Sequence, residues 1–395
     1  MHNIIEKYKG NMAEALCCFS IVSVFIPIKI YPLVFLLAAL CFYIDTPRLL
    51  RHYWVFFLAL FTAYAGWIFL TDLPANHTEI INFLKLPINF SFLYFAAGWV
   101  TQRDNTALIR RIDLTLHVVL ALTLIQLLVY HEATGFQWIA GSPTSAKGSA
   151  LYRPVLYFWG LIDKNMFGAR IALLGFIYLL VPVIRQHRIL WWRILLVFLL
   201  AWLSLSRTPV VALLIGVYGL LWLVFSVRWR IMLVVVALLT TPFVAQKVIR
   251  IDTITASNDG MGVRVEYWKT FIEHFTEISP LGNGFMSGSA FLSQYARFYH
   301  GEPHIHNTFM SCYLDFGIIG LLSYGLFLYF FYRFCLKQQP GKSFWWIAFA
   351  PLLAIMMILY SGYDNDIILY LVLILLLGSS RAINFKQVEQ RVIAI

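Results

Sequence analysis

Three histidines and a glutamate stand directly before an apolar run in the segment "HGEPHIHNTFMSCYLDFGIIG", residues 300–320. The third histidine, His306, is followed at once by Asn307 and then by the apolar residues. A neutral imidazole accepts a proton near physiological pH, so His306 is a candidate general base at the surface of a membrane.

A metal site is the alternative interpretation of the same segment. His300 and His304 are four residues apart, and Glu302 and His306 add further donor atoms. Pro303 lies between the two histidines and disrupts the helix that this spacing needs. We therefore expect no metal ion and no cofactor.

Two basic residues stand where apolar segments meet polar ones. Arg207, in "LSLSRTPVV", lies in a tight turn between two apolar runs, where a charge is paired, solvated in a cavity or functional. Lys85, in "NFLKLPINF", lies beside Pro87, a residue that leaves backbone carbonyls of a helix without partners. Both are candidates for binding an anionic group, and a lysine reaching up to the membrane interface is the alternative for Lys85.

Two carboxylates occur close together near the carboxyl end, in "YDND". Asp364 and Asp366 could hold a metal ion, orient an acceptor sugar or position an arginine. The motif alone leaves all three roles open.

Composition determines which elements must position these residues. The chain has 395 residues, of which 61% are hydrophobic and 12% are charged, and its mean hydropathy is +0.75. A water-soluble domain does not tolerate these values, whereas lipid favours helices because their backbone groups bond within one segment. The sequence predicts one all-α polytopic membrane domain over residues 1–395.

Apolar runs of helical length predict about twelve transmembrane helices, each able to cross a hydrocarbon core of ~30 Å. The predicted spans are 12–29, 30–45, 53–71, 80–99, 114–131, 165–184, 189–206, 208–226, 231–248, 308–334, 343–360 and 367–383.

Lysine and arginine predict the orientation, because cytoplasmic loops are enriched in both. They cluster in alternate loops and after the last span, at Arg48, Arg51, Arg103, Arg110, Arg111, Arg185, Arg188, Arg193, Arg228, Arg230, Lys337, Lys342, Arg381, Lys386 and Arg391. Both termini are therefore expected in the cytoplasm. The net charge of +11 indicates topology and attraction to anionic membrane lipid, and we expect no nucleic-acid partner.

The long loops face outward, at 132–164 and 249–305. The second contains "GVRVEYWKTFIEHFTEISPLGNGF", in which Arg264, Trp268, Phe271, Ile272 and Phe275 recur at helical spacing. We predict an amphipathic helix on the outer leaflet, with a cap over the helix bundle as the alternative.

Several of these motifs together resemble those of the O-antigen ligase and polymerase superfamily. "HNTFMSCYLDFGIIG" resembles its H-N-x-F/L…D/E-x-G-I/L-x-G signature, Arg264 to Trp268 with "PLGNGF" resembles its R-x-x-x-W and P-x-G-x-G stretch, and "SRTP" resembles its serine-arginine turn. Arg153 and Asn165 are similar to an R…N element ahead of a span, although the residues between them differ from the pattern. The resemblance covers roughly residues 150–320.

The resemblance implies a membrane glycosyltransferase that uses a lipid-linked donor. In an O-antigen ligase, a polysaccharide on undecaprenyl diphosphate is transferred to a sugar of lipid A-core on the periplasmic face of the bacterial inner membrane. The expected partners are that donor, that acceptor and membrane lipid. The expected reaction inverts the anomeric carbon and is independent of metal.

Residue roles follow from this chemistry. Catalysis is assigned to His306, which would deprotonate or orient the acceptor hydroxyl, and to Arg207 and Arg264, which would stabilise the departing diphosphate. Substrate binding is assigned to Arg207, Arg264, Lys85, Arg153, Asn307, Trp268, Asp364 and Asp366.

Three other functions stay open from the sequence. An O-antigen polymerase uses the same donor but a second lipid-linked glycan as acceptor. A protein O-oligosaccharyltransferase of the same superfamily would generally have a longer chain. A twelve-span transporter or flippase would place its polar residues at the bilayer midplane, whereas those of this chain cluster at the outer ends of the spans.

Overall fold

The structure is a computed structural model, and the residues that it describes are 2–26, 29–47, 49–72, 77–133, 164–243, 260–299, 301–302, 304–338, 341–359 and 363–380. Within these residues the regular structure is helical. The α-helices are α1 His2–Ser23, α2 Tyr31–Asp45, α3 Tyr53–Thr71, α4 His77–Val100, α5 Thr106–Ala133, α6 Lys164–Gln186, α7 Trp191–Leu203, α8 Arg207–Val224, α9 Val227–Phe243, α10 Gly260–Glu273, α11 Gly288–Tyr295, α12 Thr308–Gln338, α13 Lys342–Ile358 and α14 Asn365–Gly378.

Each of the twelve predicted spans overlaps one of these helices, and α10 and α11 fall inside the predicted outer loop. Residues 27–28, 244–248, 360 and 381–383 of the predicted spans lie outside the described residues. Six helices, namely α3, α4, α5, α6, α8 and α12, are long and apolar enough to cross a membrane. The prediction of an all-helical, multi-pass membrane protein is thus confirmed. The number twelve and the orientation stay predictions.

The chain divides into two compact units, and the prediction of a single domain is not tested by this division. One unit comprises Met1–Leu49, Ser91–Val217 and Asn365–Ile395, and the other comprises Leu50–Phe90 and Tyr218–Asp364. Arg207 belongs to the first unit, whereas Arg264 and His306 belong to the second.

The first unit has α6 and α14 at its centre. The most apolar 18-residue stretch of α6 is entirely buried, and so is every residue of α14. The two helices contact each other. Charged groups in this unit form ion pairs: Arg193 Nη1 lies 2.6 Å from Asp113 Oδ1, and Arg103 and Arg111 both bind Glu14. Several arginines of the predicted cytoplasmic loops therefore neutralise acids within the first unit.

The second unit is built on the pairing of α3 with α12. Trp54 of α3 is fully buried against Phe327, Phe331 and Phe334 of α12. These aromatic side chains repeat every three or four positions of α12 and so form one face that packs against α3.

The predicted outer-loop helix is present as α10, and part of its apolar surface packs inside the second unit. Val263, Tyr267 and Phe271 of α10 are buried in an apolar cluster with residues at the start of α12. Ile272 is 66% exposed and Phe275, which follows the helix, is 47% exposed. These two apolar side chains are available to lipid, as an amphipathic helix on the outer leaflet requires, and that location stays a prediction.

Candidate active site

The two glycine-containing motifs of the second unit bind each other through their backbones. In "PLGNGF" and "LDFG", the N–H of Asn283 donates to the carbonyl oxygen of Leu314 at 2.8 Å, and that of Ile318 donates to Pro280 at 2.9 Å. The N–H of Gly284 donates to the Asp315 carbonyl oxygen at 3.3 Å. The outer loop is thereby fastened to the first turns of α12.

Glycine is required where these two backbones meet. Gly317 interrupts α12 with φ 62° and ψ −160°, a conformation that is essentially restricted to glycine. A Cβ atom on Gly317 would overlap the carbonyl oxygen of Pro280, and one on Gly282 would lie 2.5 Å from the Asp315 carbonyl oxygen. Neither neighbour can yield, since both are backbone atoms.

The Gly317→Ala variant is expected to lose more than about 2 kcal/mol of stability, from the disfavoured backbone conformation and the overlap with Pro280. Thermal unfolding of the detergent-solubilised protein, with the folded fraction from size-exclusion chromatography, measures this loss. Gly325→Ala is the matched control on the same helix, because a Cβ atom there meets nothing within 4 Å. Equal stability of the two variants would contradict this close backbone contact, which we call the interlock of the loop with α12.

Asp315 is a buried carboxylate at this interlock that the sequence reasoning did not select. Its Oδ1 accepts hydrogen bonds from the Ser287 backbone N–H at 3.1 Å and from the Ser287 hydroxyl at 3.0 Å. It is the only acidic residue of α12, and this isolation within an apolar run was the available signal. Its contacts show that it fixes the loop after Gly284.

His306 is oriented by two contacts within the second unit. Its Nδ1 lies 2.9 Å from the carbonyl oxygen of Leu359, and its ring stacks on Tyr267 at 6.1 Å with an interplanar angle of 3°. A carbonyl oxygen only accepts, so Nδ1 must donate its hydrogen. In the neutral imidazole the lone pair then resides on Nε2, the atom that can act as a base.

The backbone of His306 is also unusual, with φ at +61°. Such a conformation costs on the order of 1–3 kcal/mol in a residue other than glycine and tends to occur at functional sites. The following residue, Asn307, directly precedes α12, and its Oδ1 accepts from the N–H groups of Phe309 at 3.0 Å and Met310 at 3.1 Å. Asn307 is therefore a helix N-cap that places His306, and its predicted contact with substrate stays a prediction.

Tyr267 connects His306 to the helix that carries Arg264. Arg264 and Tyr267 are three positions apart on α10 and so lie on the same face, and both are buried. The Tyr267 hydroxyl donates to Glu302 Oε2 at 2.5 Å. The structure thus brings the H-N motif and the R-x-x-x-W helix together within one unit.

Trp268 is half-buried beside Arg264 and packs against the same apolar cluster. Its Nε1 is buried and has no hydrogen-bond partner among the described residues. This side chain contributes packing, and its predicted role in substrate binding is neither supported nor opposed by these contacts.

For the alternative of a metal site, the described residues contain no group of three or more histidine, cysteine, aspartate or glutamate side chains that could hold an ion. His300 and Pro303 lie outside the described residues. Burial, followed by the nearby charge of His306, lowers the pKa of His304 to about 4. His304 is consequently neutral at pH 7 and adds no positive charge beside His306.

Arg207 begins α8 and follows a turn that is anchored in the first unit. The Ser206 hydroxyl donates to Asn165 Oδ1 at 2.8 Å, and Nε2 of the buried His131 donates to the Leu203 carbonyl oxygen at 2.8 Å. Leu205 adopts a φ of +56° within the turn. Asn165 is thus a neighbour of the serine-arginine turn, and sequence reasoning missed His131.

Lys85 lies beside the glycine loop of the second unit. Its Nζ donates to Asn82 Oδ1 at 2.7 Å, and Asn82 Nδ2 lies 3.4 Å from Met286 Sδ. Met286 immediately precedes Ser287, the partner of Asp315. Lys85 is therefore near the P-x-G-x-G motif although it is almost 200 residues away in sequence.

Asp366 has the last of its three predicted roles, the positioning of an arginine. Its Oδ1 accepts from Arg170 Nε at 2.8 Å and from Asn365 Nδ2 at 2.9 Å, and Arg170 also donates to the Val24 carbonyl oxygen. Both partners of the ion pair are buried. Asp364 is half-buried, and Arg153 lies outside the described residues. The substrate contacts predicted for Asp364, Asp366 and Arg153 stay predictions.

The Asp366→Ala variant is expected to lose about 3–5 kcal/mol of stability, because it leaves the Arg170 guanidinium buried without its counterion. The double variant Arg170→Met, Asp366→Leu should recover most of this loss. Unfolding of Arg170→Met, Asp366→Leu and the double variant in detergent gives the coupling energy. Additive losses would contradict the pairing, and Glu132→Ala, which removes an exposed acid of the same unit, is the control for charge removal alone.

Comparison with known families agrees with these motifs. Residues 192–325 match the family model described as O-Antigen ligase. A search of curated proteins found no match. The matched segment contains Arg207, Arg264, Trp268, His306 and Asn307, whereas Lys85, Arg153, Asp364 and Asp366 lie outside it. The resemblance of this all-helical, multi-pass membrane protein to the O-antigen ligase superfamily is thereby confirmed.

Proposed function

We propose that this protein is an O-antigen ligase that transfers a polysaccharide from undecaprenyl diphosphate to a sugar hydroxyl of lipid A-core. The reaction takes place on the periplasmic face of the bacterial inner membrane, and both termini are cytoplasmic. Donor and acceptor are both amphiphiles whose reacting groups lie at headgroup height. A catalytic site at the ends of the spans suits such substrates, since the polar groups meet water there.

The chemical step is a single displacement. The acceptor oxygen forms a bond to the anomeric carbon while the bond from that carbon to the diphosphate oxygen breaks. The acceptor proton passes to Nε2 of His306, and undecaprenyl diphosphate leaves with the bonding electrons. Attack from the face opposite the leaving group inverts the anomeric carbon.

Arg207 and Arg264 supply the positive charge for the departing diphosphate. A guanidinium presents two parallel N–H donors to phosphate oxygens, and fixed cations stabilise charge as it develops in the transition state. Lys85 would contribute a further point charge to donor binding. These cations take the place that a divalent metal ion has in many diphosphate-dependent enzymes, so the proposed reaction proceeds in the presence of a chelator.

The observation that carries the proposal is the orientation of His306. The Nδ1–H bond to Leu359 leaves the lone pair on Nε2, and the stack on Tyr267 joins the imidazole to the face of α10 that bears Arg264. The positive φ of His306 adds to this support. All of these residues except Leu359 lie within the segment that matches the family model.

Reconstitution into liposomes tests the function. The protein is given a glycan linked to undecaprenyl diphosphate, together with rough lipopolysaccharide or a second lipid-linked glycan, in buffer with a chelator. Glycan on the lipopolysaccharide is the expected result. Elongation of the second lipid-linked glycan alone would indicate a polymerase, and movement of unchanged donor across the bilayer would indicate a flippase.

A further inference from the structure

A cavity of about 560 Å³ opens in the second unit, away from every residue assigned to the reaction. Its walls come from the end of α8, the start of α9 and the first turn of α13. The lining residues used below are Tyr218, Trp222, Arg230, Ser343 and Trp346. A volume of this size is typical of a small-molecule site.

The cavity lies at the first turns of α13, and His306 contacts the residue that follows the last turn of the same helix. Ser343 and Trp346 lie in the first turns of this helix, whereas Leu359, the partner of His306 Nδ1, directly follows its last residue. Sixteen residues of helix span about 24 Å, close to the thickness of a hydrocarbon core. With the proposed reaction at the outer surface, the cavity lies at the inner leaflet. The basic residues Arg228, Arg230 and Lys342 predict the same side, because cytoplasmic ends of spans are enriched in lysine and arginine.

Arg230 is held so that its terminal nitrogens remain available. Its Nε donates to the Trp222 carbonyl oxygen at 2.7 Å, and its guanidinium lies 5.7 Å from the centre of the Trp222 ring. No other side-chain hydrogen bond or ion pair of Arg230 occurs within the described part of the chain. The two Nη groups can therefore bind one phosphate through parallel hydrogen bonds.

The opposite wall suits an anion as well. α13 begins after Gly341 without a side-chain cap, so its first N–H groups and its dipole favour negative charge, and Ser343 adds a hydroxyl donor. Trp222 and Trp346 are more than 40% exposed and flank the cavity. Tryptophan at this depth is typical of the contact between protein and lipid headgroups.

We propose that this cavity binds the phosphate of an anionic phospholipid from the inner leaflet, with Arg230 as its principal ligand. The phosphate contacts the Nη groups of Arg230 and the first turn of α13, and the upper acyl chains lie along Tyr218, Trp222 and Trp346. The negative inner leaflet supplies such lipids at high local concentration.

Native mass spectrometry of the detergent-purified full chain tests this site. Phosphatidylglycerol is titrated against the protein, with phosphatidylcholine and inorganic phosphate as the other two probes. The unchanged chain is expected to retain phosphatidylglycerol. Arg230→Gln is expected to retain it at least about tenfold more weakly, since a hydrogen bond to a charged group is lost. Arg228→Gln removes the same charge from an exposed residue outside the cavity and should retain lipid normally.

Three outcomes overturn the proposal: equal loss in both arginine variants, equal retention of phosphatidylcholine, or displacement of the lipid by inorganic phosphate at matched concentration. Trp346→Leu tests the acyl-chain contact independently, since 63% of this side chain is exposed. It should weaken retention several-fold while leaving the elution volume unchanged. Normal retention in this variant as well as in Arg230→Gln would exclude the cavity as a lipid site.

Discussion

The His306→Ala variant is expected to transfer glycan at about one hundredth of the normal rate or less, while still binding the lipid-linked donor. General-base catalysis contributes roughly 10²–10⁴ to a rate, and this variant has no Nε2 to receive the acceptor proton. The proposed diphosphate clamp of Arg207 and Arg264 is unchanged. Donor affinity and transfer must therefore be measured separately, by binding of a fluorescent donor and by single-turnover transfer.

His274→Ala is the matched control for this variant. His274 also lies in the outer loop, where its ring stacks on Tyr295, and it has no role in the proposed reaction. It should transfer glycan at close to the normal rate. Loss of donor binding in His306→Ala with transfer per bound donor unchanged would assign His306 to the donor instead.

The Arg207→Lys variant is expected to lose about a hundredfold in transfer despite normal expression in the membrane. Lysine keeps the positive charge but lacks the planar fork that binds two phosphate oxygens, and removal of one such transition-state donor costs about 3 kcal/mol. Arg264→Ala should weaken donor binding as well as transfer, because it removes the charge altogether.

Arg297→Lys provides the control for the conservative change at Arg207. Arg297 is an exposed residue of the predicted outer loop and is not assigned to the reaction. Steady-state transfer over a range of donor concentrations distinguishes binding from turnover. Normal kinetics in both Arg207→Lys and Arg264→Ala would show that these cations do not stabilise the diphosphate.

The helices could be predicted from the sequence because lipid leaves few alternatives to them. Apolar runs of helical length predicted twelve of the described helices. The order of the motifs indicated the family that the chain resembles. The break in α12 was not predictable, because the apolar run continues through Gly317 and only the approach of Pro280 explains its conformation.

Contacts between residues far apart along the chain could not be predicted from the sequence either. Asp366 binds Arg170 across 196 positions, and the tautomer of His306 depends on a carbonyl oxygen 53 residues away. The apolar cluster that buries Val263, Tyr267 and Phe271 of α10 was likewise not predictable from the spacing of these residues. Such pairings depend on which helices become neighbours, and spacing within one segment carries no information about that.

The stoichiometry and stereochemistry of a single transfer test the central claim most directly. Purified protein, lipid-linked glycan and rough lipopolysaccharide are incubated with a chelator, and the released undecaprenyl diphosphate, the modified lipopolysaccharide and the anomeric configuration of the new bond are measured together. The account predicts one molecule of undecaprenyl diphosphate for each glycan transferred, with the anomeric carbon inverted. Retention of configuration, or donor that remains intact while lipopolysaccharide stays unmodified, would contradict it.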